Sequence, residues 1–187
     1  MPNYSTAGKQ SQAQRVLEKR AHDLAQALRE QGDPAGSLNT VTFTLGKEKF
    51  GIELKYLKEV QPLDCLNWSL VPCTPEFVVG VVNIRGRLYS VMDLASFLGL
   101  RGRHLTEQSH VLLVRVGGQG GGPVMELGLI SDTLPVINRI GIEGLQEPQG
   151  TVSEEAQRYF KGVTAEMTTL LNMESLLSDP AIIVDWA

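Results

Sequence analysis

The chain has 187 residues, a length that suits one domain or two small intertwined ones. Its 17 basic and 21 acidic side chains leave a formal net charge of -4, so it lacks the cationic field with which proteins bind phosphate backbones. The longest apolar run, 77–84, is too short to span a membrane, and the polar amino terminus does not have the pattern of a signal peptide. We therefore expect a cytoplasmic protein with no nucleic-acid partner and no direct membrane insertion.

The first 36 residues are predicted to lie outside the main domain. Residues 1–10 are predicted to be a disordered tail, and residues 11–36 a helical extension and linker, because apolar residues recur there at steps of four, three and four. These residues are Leu17, Ala21, Leu24 and Leu28. The apolar face of this N-terminal amphipathic helix either covers part of its own domain or binds a partner, and the pattern leaves both interpretations open.

From Ser37 onward the hydrophobic pattern changes to period two, which is typical of β-strands. Val41, Phe43 and Leu45 alternate with threonines, and a second alternating run follows a turn at 46–48. Further β-rich runs occupy 77–84, 88–92, 111–116, 125–130, 134–140, 160–164 and 168–172. The pattern predicts an all-β domain over residues 37–187.

Three short blocks recur in the same order in the two halves of this domain. The matching blocks are 50–54 with 127–131, 77–81 with 159–163, and 93–98 with 172–177. This internal repeat predicts two related all-β units of about five strands each. Two small barrels packed together would close the sheet edges that isolated strands leave open.

The sequence offers no catalytic or metal-binding group of side chains. Cys65 and Cys73 are expected to stay reduced in an unexported protein, although the sequence also allows one disulfide between them. A structural zinc site needs four close ligands, which two cysteines and three dispersed histidines do not supply. The glycine-rich segment 117–123 fits no phosphate-binding motif and is predicted to be a flexible hairpin loop. We expect neither an enzyme, nor a metal, nor another cofactor.

One turn carries a residue that turn geometry does not explain. Asn83 and Gly86 suit the positive-φ positions that a tight turn requires, but Arg85 between them is not needed by the turn. Arg85 is either a solvated surface residue or an anchor for a carboxylate or carbonyl group of a partner.

Several blocks of the β domain resemble the CheW family of chemotaxis coupling proteins. The most specific is PEFVVGVVNIRG at 75–86, continued by VMDL at 91–94. The others are FTLG at 43–46, FGI at 50–52, KEV at 58–60, GLISD at 128–132 and LLNMESLL at 170–177. The ordered set covers about residues 38–180, so the N-terminal helix lies outside it.

The resemblance implies two SH3-like five-stranded β-barrel subdomains, intertwined within residues 37–187. It also implies a non-enzymatic adaptor that links the cytoplasmic tips of methyl-accepting chemoreceptors to the regulatory domain of the histidine kinase CheA. Such an adaptor would be cytoplasmic and peripheral to the membrane through receptor arrays. The alternative is a scaffold or capping module that binds kinase regulatory domains without receptors, in a pilus-motility or other chemosensory pathway.

By position, the resemblance assigns Arg85, Asn83 and Gly86 to the receptor-binding region. It places Leu57, Glu59 and Val60 nearby, where the two apolar residues would offer a groove for a receptor helix. We expect Glu59 to lie close enough to Arg85 to fix its direction. The resemblance assigns no individual kinase-binding residue. The chain departs from the family pattern at Asn172, where aspartate is usual, and in a longer link at 67–72.

Overall fold

The computed structural model describes residues 36–100, 105–117, 124–147 and 154–182. All but the first of these residues belong to one compact unit, Ser37–Ala187. The predicted N-terminal tail and helix lie outside the described residues, as does most of the predicted glycine-rich loop.

Strands dominate the described part, so the predicted all-β class is confirmed. The strands are β1 (Ser37–Leu45), β2 (Glu48–Glu53), β3 (Leu57–Pro62), β4 (Trp68–Ser69), β5 (Val78–Ile84), β6 (Arg87–Met92), β7 (His110–Gly117), β8 (Val124–Ser131), β9 (Val136–Gly141), β10 (Phe160–Val163) and β11 (Thr168–Leu171). The short α-helices are α1 (Leu94–Phe97), α2 (Glu154–Gln157) and α3 (Met173–Leu177). Single 3-10 turns occupy Leu54–Tyr56, Leu63–Cys65 and Pro180–Ile182.

The strands form two sheets. Sheet I has the order β10-β11-β2-β1-β9, and sheet II has the order β3-β7-β8-β6-β5-β4. Each sheet contains one parallel pair, β2 with β11 in sheet I and β8 with β6 in sheet II, and all other pairs are antiparallel. The five strands of sheet I therefore correspond in order to β5, β6, β8, β7 and β3 of sheet II, as the internal sequence repeat predicts, and β4 is an additional strand of sheet II.

The two sheets exchange strands between the halves of the chain. Sheet I combines β1 and β2 with β9, β10 and β11, whereas sheet II combines β7 and β8 with β3, β5 and β6. One copy of the sequence repeat thus does not form a barrel by itself. Each barrel needs strands from both halves, so the two units are intertwined.

Equivalent short segments close the two sheets. In sheet II the chain turns after β3 and returns as β4, whose Ser69 pairs with Val81 on β5. In sheet I the chain leaving β9 returns at Gln146, which pairs with Val163 on β10. The two edge strands of sheet II, β3 and β4, follow one another in the chain, so the chain itself links the two edges, as in a barrel.

The two repeats end in equivalent capped helices. The Asp93 carboxylate accepts hydrogen bonds from the backbone N–H groups of Ala95 and Ser96, at 3.0 and 3.4 Å, and caps α1. The Asn172 side chain accepts one from the Ser175 N–H at 3.2 Å and caps α3. Asparagine at this position therefore keeps the capping function despite the departure from the family pattern.

Two hydrophobic cores hold the sheets. The larger core takes residues from both sheets and from α1 and α3, among them the fully buried Phe50, Leu94, Leu112, Leu129 and Leu176. The smaller core lies on the other face of sheet II and includes Val82, Val91, Val111, Leu113 and Ile130. One face of β7 and β8 thus packs against sheet I, and the opposite face fills the interior of sheet II.

Candidate functional site at one end of sheet II

The turn between β5 and β6 is a two-residue hairpin loop. Ile84 pairs with Arg87, and the loop residues Arg85 and Gly86 have positive φ angles of 53° and 82°, as in a type I′ turn. The prediction that Asn83 takes a positive-φ position is therefore wrong, because Asn83 lies within β5. Its side-chain oxygen instead accepts a hydrogen bond from the Gly86 N–H at 2.9 Å and stabilises the turn.

Arg85 is the unusual residue of this turn. A left-handed backbone costs a residue with a side chain about 1–2 kcal/mol, which glycine or asparagine largely avoids. Arg85 carries this strain although its side chain is exposed. The turn alone therefore does not explain the choice of arginine.

Glu59 on β3 holds the Arg85 side chain. Arg85 Nη2 lies 3.0 Å from Glu59 Oε1, which confirms the predicted proximity of the two groups. The same carboxylate oxygen accepts a hydrogen bond from Gln61 Nε2. The ion pair joins the β5–β6 hairpin to β3, the first strand of sheet II, and directs the guanidinium group.

A second cluster of charges lies beside Glu59. The register of β3 against β7 shifts between Leu57 and Glu59, and Lys58 at this bulge reaches Glu126 on β8 at 2.7 Å. Arg115 on β7, directly opposite Glu126, approaches the same carboxylate at 3.6 Å. We call the set Lys58, Glu59, Arg85, Arg115 and Glu126 the charged rim.

Three members of the charged rim, Lys58, Arg115 and Glu126, were not predicted from the sequence as site residues. Along β7 and β8, every second residue faces the interior of sheet II. Arg115 and Glu126 are the next such positions after the buried pair Leu113 and Gly128, so they extend the interior face of sheet II to its end. Charged residues at strand positions that should face inward were the available signal. Lys58 had no such signal, because its position depends on the β3 bulge.

Leu57 and Val60 do not share the face of Glu59. Val60 lies opposite Leu112 and Leu57 opposite Val114, and both are half-buried against the larger core. The structure therefore brings Arg85, Asn83, Gly86 and Glu59 together, and places the two apolar residues on the other face of β3.

The equivalent end of sheet I has a different chemistry. A groove of about 740 Å³ opens there between β1, β9 and the β10–β11 turn. Threonine and charged side chains make up much of its lining. Three exposed apolar residues also occur here: Leu134 and Val136 line the groove, and Met167 lies between the lining residues Glu166 and Thr168. Val136 lies opposite Thr42, so the β9 strand carries an apolar side chain where β3 carries Glu59. We call Leu134, Val136 and Met167 the apolar end.

Neither end has the composition of a metal centre. Within the described residues, no group of three or more histidine, cysteine, aspartate or glutamate side chains is arranged to hold a metal ion. Cys65 and Cys73 are free and exposed. No helix among the residues that the structure describes is long and apolar enough to cross a membrane.

Comparison with known proteins identifies the family. The model of the CheW-like domain matches residues 39–181, which is most of the chain. The chain belongs to the CheW family. It is 24% identical over 151 residues to the probable chemotaxis protein CheW of Rhizobium etli, covering 77% of this chain and 90% of that protein.

Two further relatives widen the comparison. Protein PilI of Pseudomonas aeruginosa is 33% identical over 98 residues, which cover 52% of this chain and 54% of PilI. The crystal structure of the scaffolding protein TtCheW from Thermoanaerobacter tengcongensis superimposes with a TM-score of 0.64 and 22% identity, covering 81% of this chain and 94% of that one. These comparisons thus show the fold, and they show that the chain belongs to a family of chemotaxis coupling adaptors.

Proposed function

We propose that this protein is a coupling adaptor that links the cytoplasmic tips of chemoreceptors to the regulatory domain of the histidine kinase CheA. The receptor contact is centred on Arg85, with Asn83, Gly86 and Glu59 as its support. The adaptor performs no chemistry itself. It is cytoplasmic and held near the membrane through receptor arrays, without inserting into the bilayer.

The observation that carries the receptor assignment is the strained and directed arginine. Arg85 occupies a left-handed backbone position, and Glu59 fixes its exposed side chain at 3.0 Å. Local strain that the surrounding structure maintains is typical of binding sites. A planar guanidinium with a fixed direction is suited to bind carboxylate or carbonyl groups of a partner helix.

Leu57 and Val60 contribute to this contact indirectly. They anchor β3 to the larger core, so they hold the strand that carries Glu59. We therefore propose that Leu57 and Val60 support the receptor-binding strand rather than contact the receptor.

The apolar end of sheet I is our candidate for the kinase contact. Exposed apolar side chains grouped around a groove commonly mark a protein interface. Val136 on β9 meets this condition, as do Leu134 just before β9 and Met167 in the β10–β11 turn, whereas Arg85 lies in a hairpin of sheet II. Two separate contacts would let the adaptor bind both partners in an array, where several weak interactions add to a stable assembly.

Calorimetric titration of the full chain against two ligands tests this function. One ligand is a cytoplasmic-tip fragment of a chemoreceptor from the same genome, and the other is the regulatory domain of a CheA from that genome. Arg85→Glu should weaken receptor binding by about 30- to several thousand-fold, the equivalent of about 2–5 kcal/mol, and leave kinase binding unchanged. Lys47→Glu, an equal charge reversal in the exposed β1–β2 turn, is the matched control.

The two ligands also separate the alternative function. Binding to the kinase domain without binding to the receptor would support a capping module, as a pilus-motility or other alternative pathway could use. Normal receptor binding by Arg85→Glu would disprove the assigned receptor site. The absence of binding to both ligands would disprove the coupling function.

A further inference from the structure

The charged rim arranges its positive and negative groups at different depths. The side chains of Glu59 and Glu126 are each only 18% exposed, whereas those of Lys58, Arg115 and Arg85 are 32%, 49% and 74% exposed. The carboxylates therefore lie beneath, and the cations lie above them toward solvent. A partner approaching this end of sheet II meets mainly positive charge.

The cations also outnumber the carboxylates beneath them. Glu126 is shared by Lys58 and Arg115, and Glu59 is paired with Arg85. Arg87, the residue that follows the Arg85–Gly86 turn, adds a further exposed cation. This local excess of positive charge occurs in a chain whose formal net charge is -4. A uniform distribution of charge would have given this end a negative field instead.

We infer that the charged rim selects its receptor segment by acidic residues on that segment, with Lys58 and Arg115 as specificity-determining residues beside Arg85. This inference rests on the proposed receptor-binding function of the site. Carboxylates on a partner helix can approach the exposed cations from above while Glu59 and Glu126 stay beneath. Because ion pairs of exposed side chains contribute little to stability, the cations are available for such contacts.

Charge reversals in the full chain test the inference. The probe is the chemoreceptor tip fragment, titrated at several salt concentrations. Lys58→Glu and Arg115→Glu should each weaken receptor binding about tenfold at low salt and reduce the salt dependence of the dissociation constant. Lys47→Glu should bind like the unchanged protein, since it changes the net charge equally at a site outside the rim.

Glu126→Gln distinguishes recognition from a structural role of the ion pairs. If the rim recognises acidic residues, this variant should bind the receptor fragment at least as tightly as the unchanged protein, because it removes a negative charge. If the Glu126 pairs only shape the site, the same variant should bind more weakly. Weaker binding would therefore overturn the inference.

The Arg85→Glu variant separates this inference from the function on which it rests. If Arg85→Glu loses receptor binding while Lys58→Glu and Arg115→Glu behave like Lys47→Glu, acidic selection by the rim is wrong and the receptor site stands. If Arg85→Glu also binds normally, the receptor site itself is wrong, and the inference fails with it.

Discussion

The charged rim of sheet II and the apolar end of sheet I occupy equivalent positions in two barrels of equivalent topology. Their strands pair in the same order, yet β3 presents Glu59 where β9 presents Val136. The β5–β6 hairpin continues for two residue pairs beyond Val82 and Tyr89 before its turn. The β10–β11 hairpin instead turns directly after Thr164, which bonds to Thr168. The longer hairpin is what carries Arg85 to Glu59.

This difference shows how one repeated framework acquires two surfaces. The buried faces of the two sheets follow the same pattern, because packing constrains them. The ends of the strands are free of that constraint, so one end could become charged and the other apolar. A coupling protein needs two unlike surfaces of this kind if it binds two unlike partners.

The largest expected effect concerns the closing segments of the two barrels. A Cβ atom at Gly80 would lie 2.2 Å from the backbone oxygen of Ser69, whereas at Gly162 it would lie 3.0 Å from the Leu145 side chain. Gly80→Ala should therefore destabilise the protein by about 3–4 kcal/mol, and Gly162→Ala by about 1–2 kcal/mol. Urea unfolding measures both, and equal losses would contradict the tighter closure of sheet II.

The apolar end offers the next test. Val136→Glu gives sheet I the acidic residue that sheet II has at Glu59, and should weaken binding of the CheA regulatory domain by about 10- to 100-fold. Receptor binding should not change. Leu70→Glu, which also places a carboxylate at an exposed apolar position, serves as the control. Unchanged kinase binding by Val136→Glu would remove the apolar end as the kinase contact.

A buried carboxylate in sheet I responds differently from the exposed pairs of the charged rim. Burial raises the pKa of Glu53, but hydrogen bonds and ion pairs from Lys161 and Lys55 outweigh this effect and leave the pKa below its ordinary value. Lys161→Met should therefore cost about 1–3 kcal/mol near neutral pH. Lys58→Met in the charged rim should cost less than about 1 kcal/mol.

The pH dependence of this difference has a definite sign. A carboxylate with a lowered folded-state pKa contributes stability above its unfolded-state pKa, and loses it as the pH falls through the folded value. The penalty of Lys161→Met should therefore be full above about pH 5 and shrink in stronger acid. Urea unfolding across this range checks it, and a penalty that does not vary with pH would show that Glu53 is not the group involved.

The smallest expected effect compares the two hairpin turns. Arg85 and Met167 both have left-handed backbones, with φ angles of 53° and 58°. Because asparagine tolerates this conformation, Arg85→Asn and Met167→Asn should each stabilise the free protein by up to about 1 kcal/mol. Only Arg85→Asn should lose receptor binding. Thermal unfolding measures the change in stability, and titration with the receptor fragment measures binding. If Arg85→Asn were less stable than the unchanged protein, the left-handed backbone of Arg85 would not be a source of strain that asparagine relieves.

The sequence predicted the fold to the extent that local pattern controls it. Alternation gave the strands because inward and outward residues differ in polarity, and the recurring blocks predicted two equivalent units. The Arg85–Glu59 pair was expected only from the resemblance to the CheW family, since the two residues lie far apart in the sequence. Asn83 was misplaced because asparagine suits both a left-handed position and a side-chain turn contact.

Sequence by itself thus determined the all-β class, the internal repeat and the family, and it singled out Arg85 as a candidate, because each depends on residue type and local spacing. The tertiary structure decided the exchange of strands between the barrels, the face of β3 that carries Leu57 and Val60, and the meeting of Lys58, Arg115 and Glu126. These features depend on long-range pairing and on one bulge. A shift of a single residue in register reverses which side chains face inward, and no local pattern fixes that register at the end of a strand.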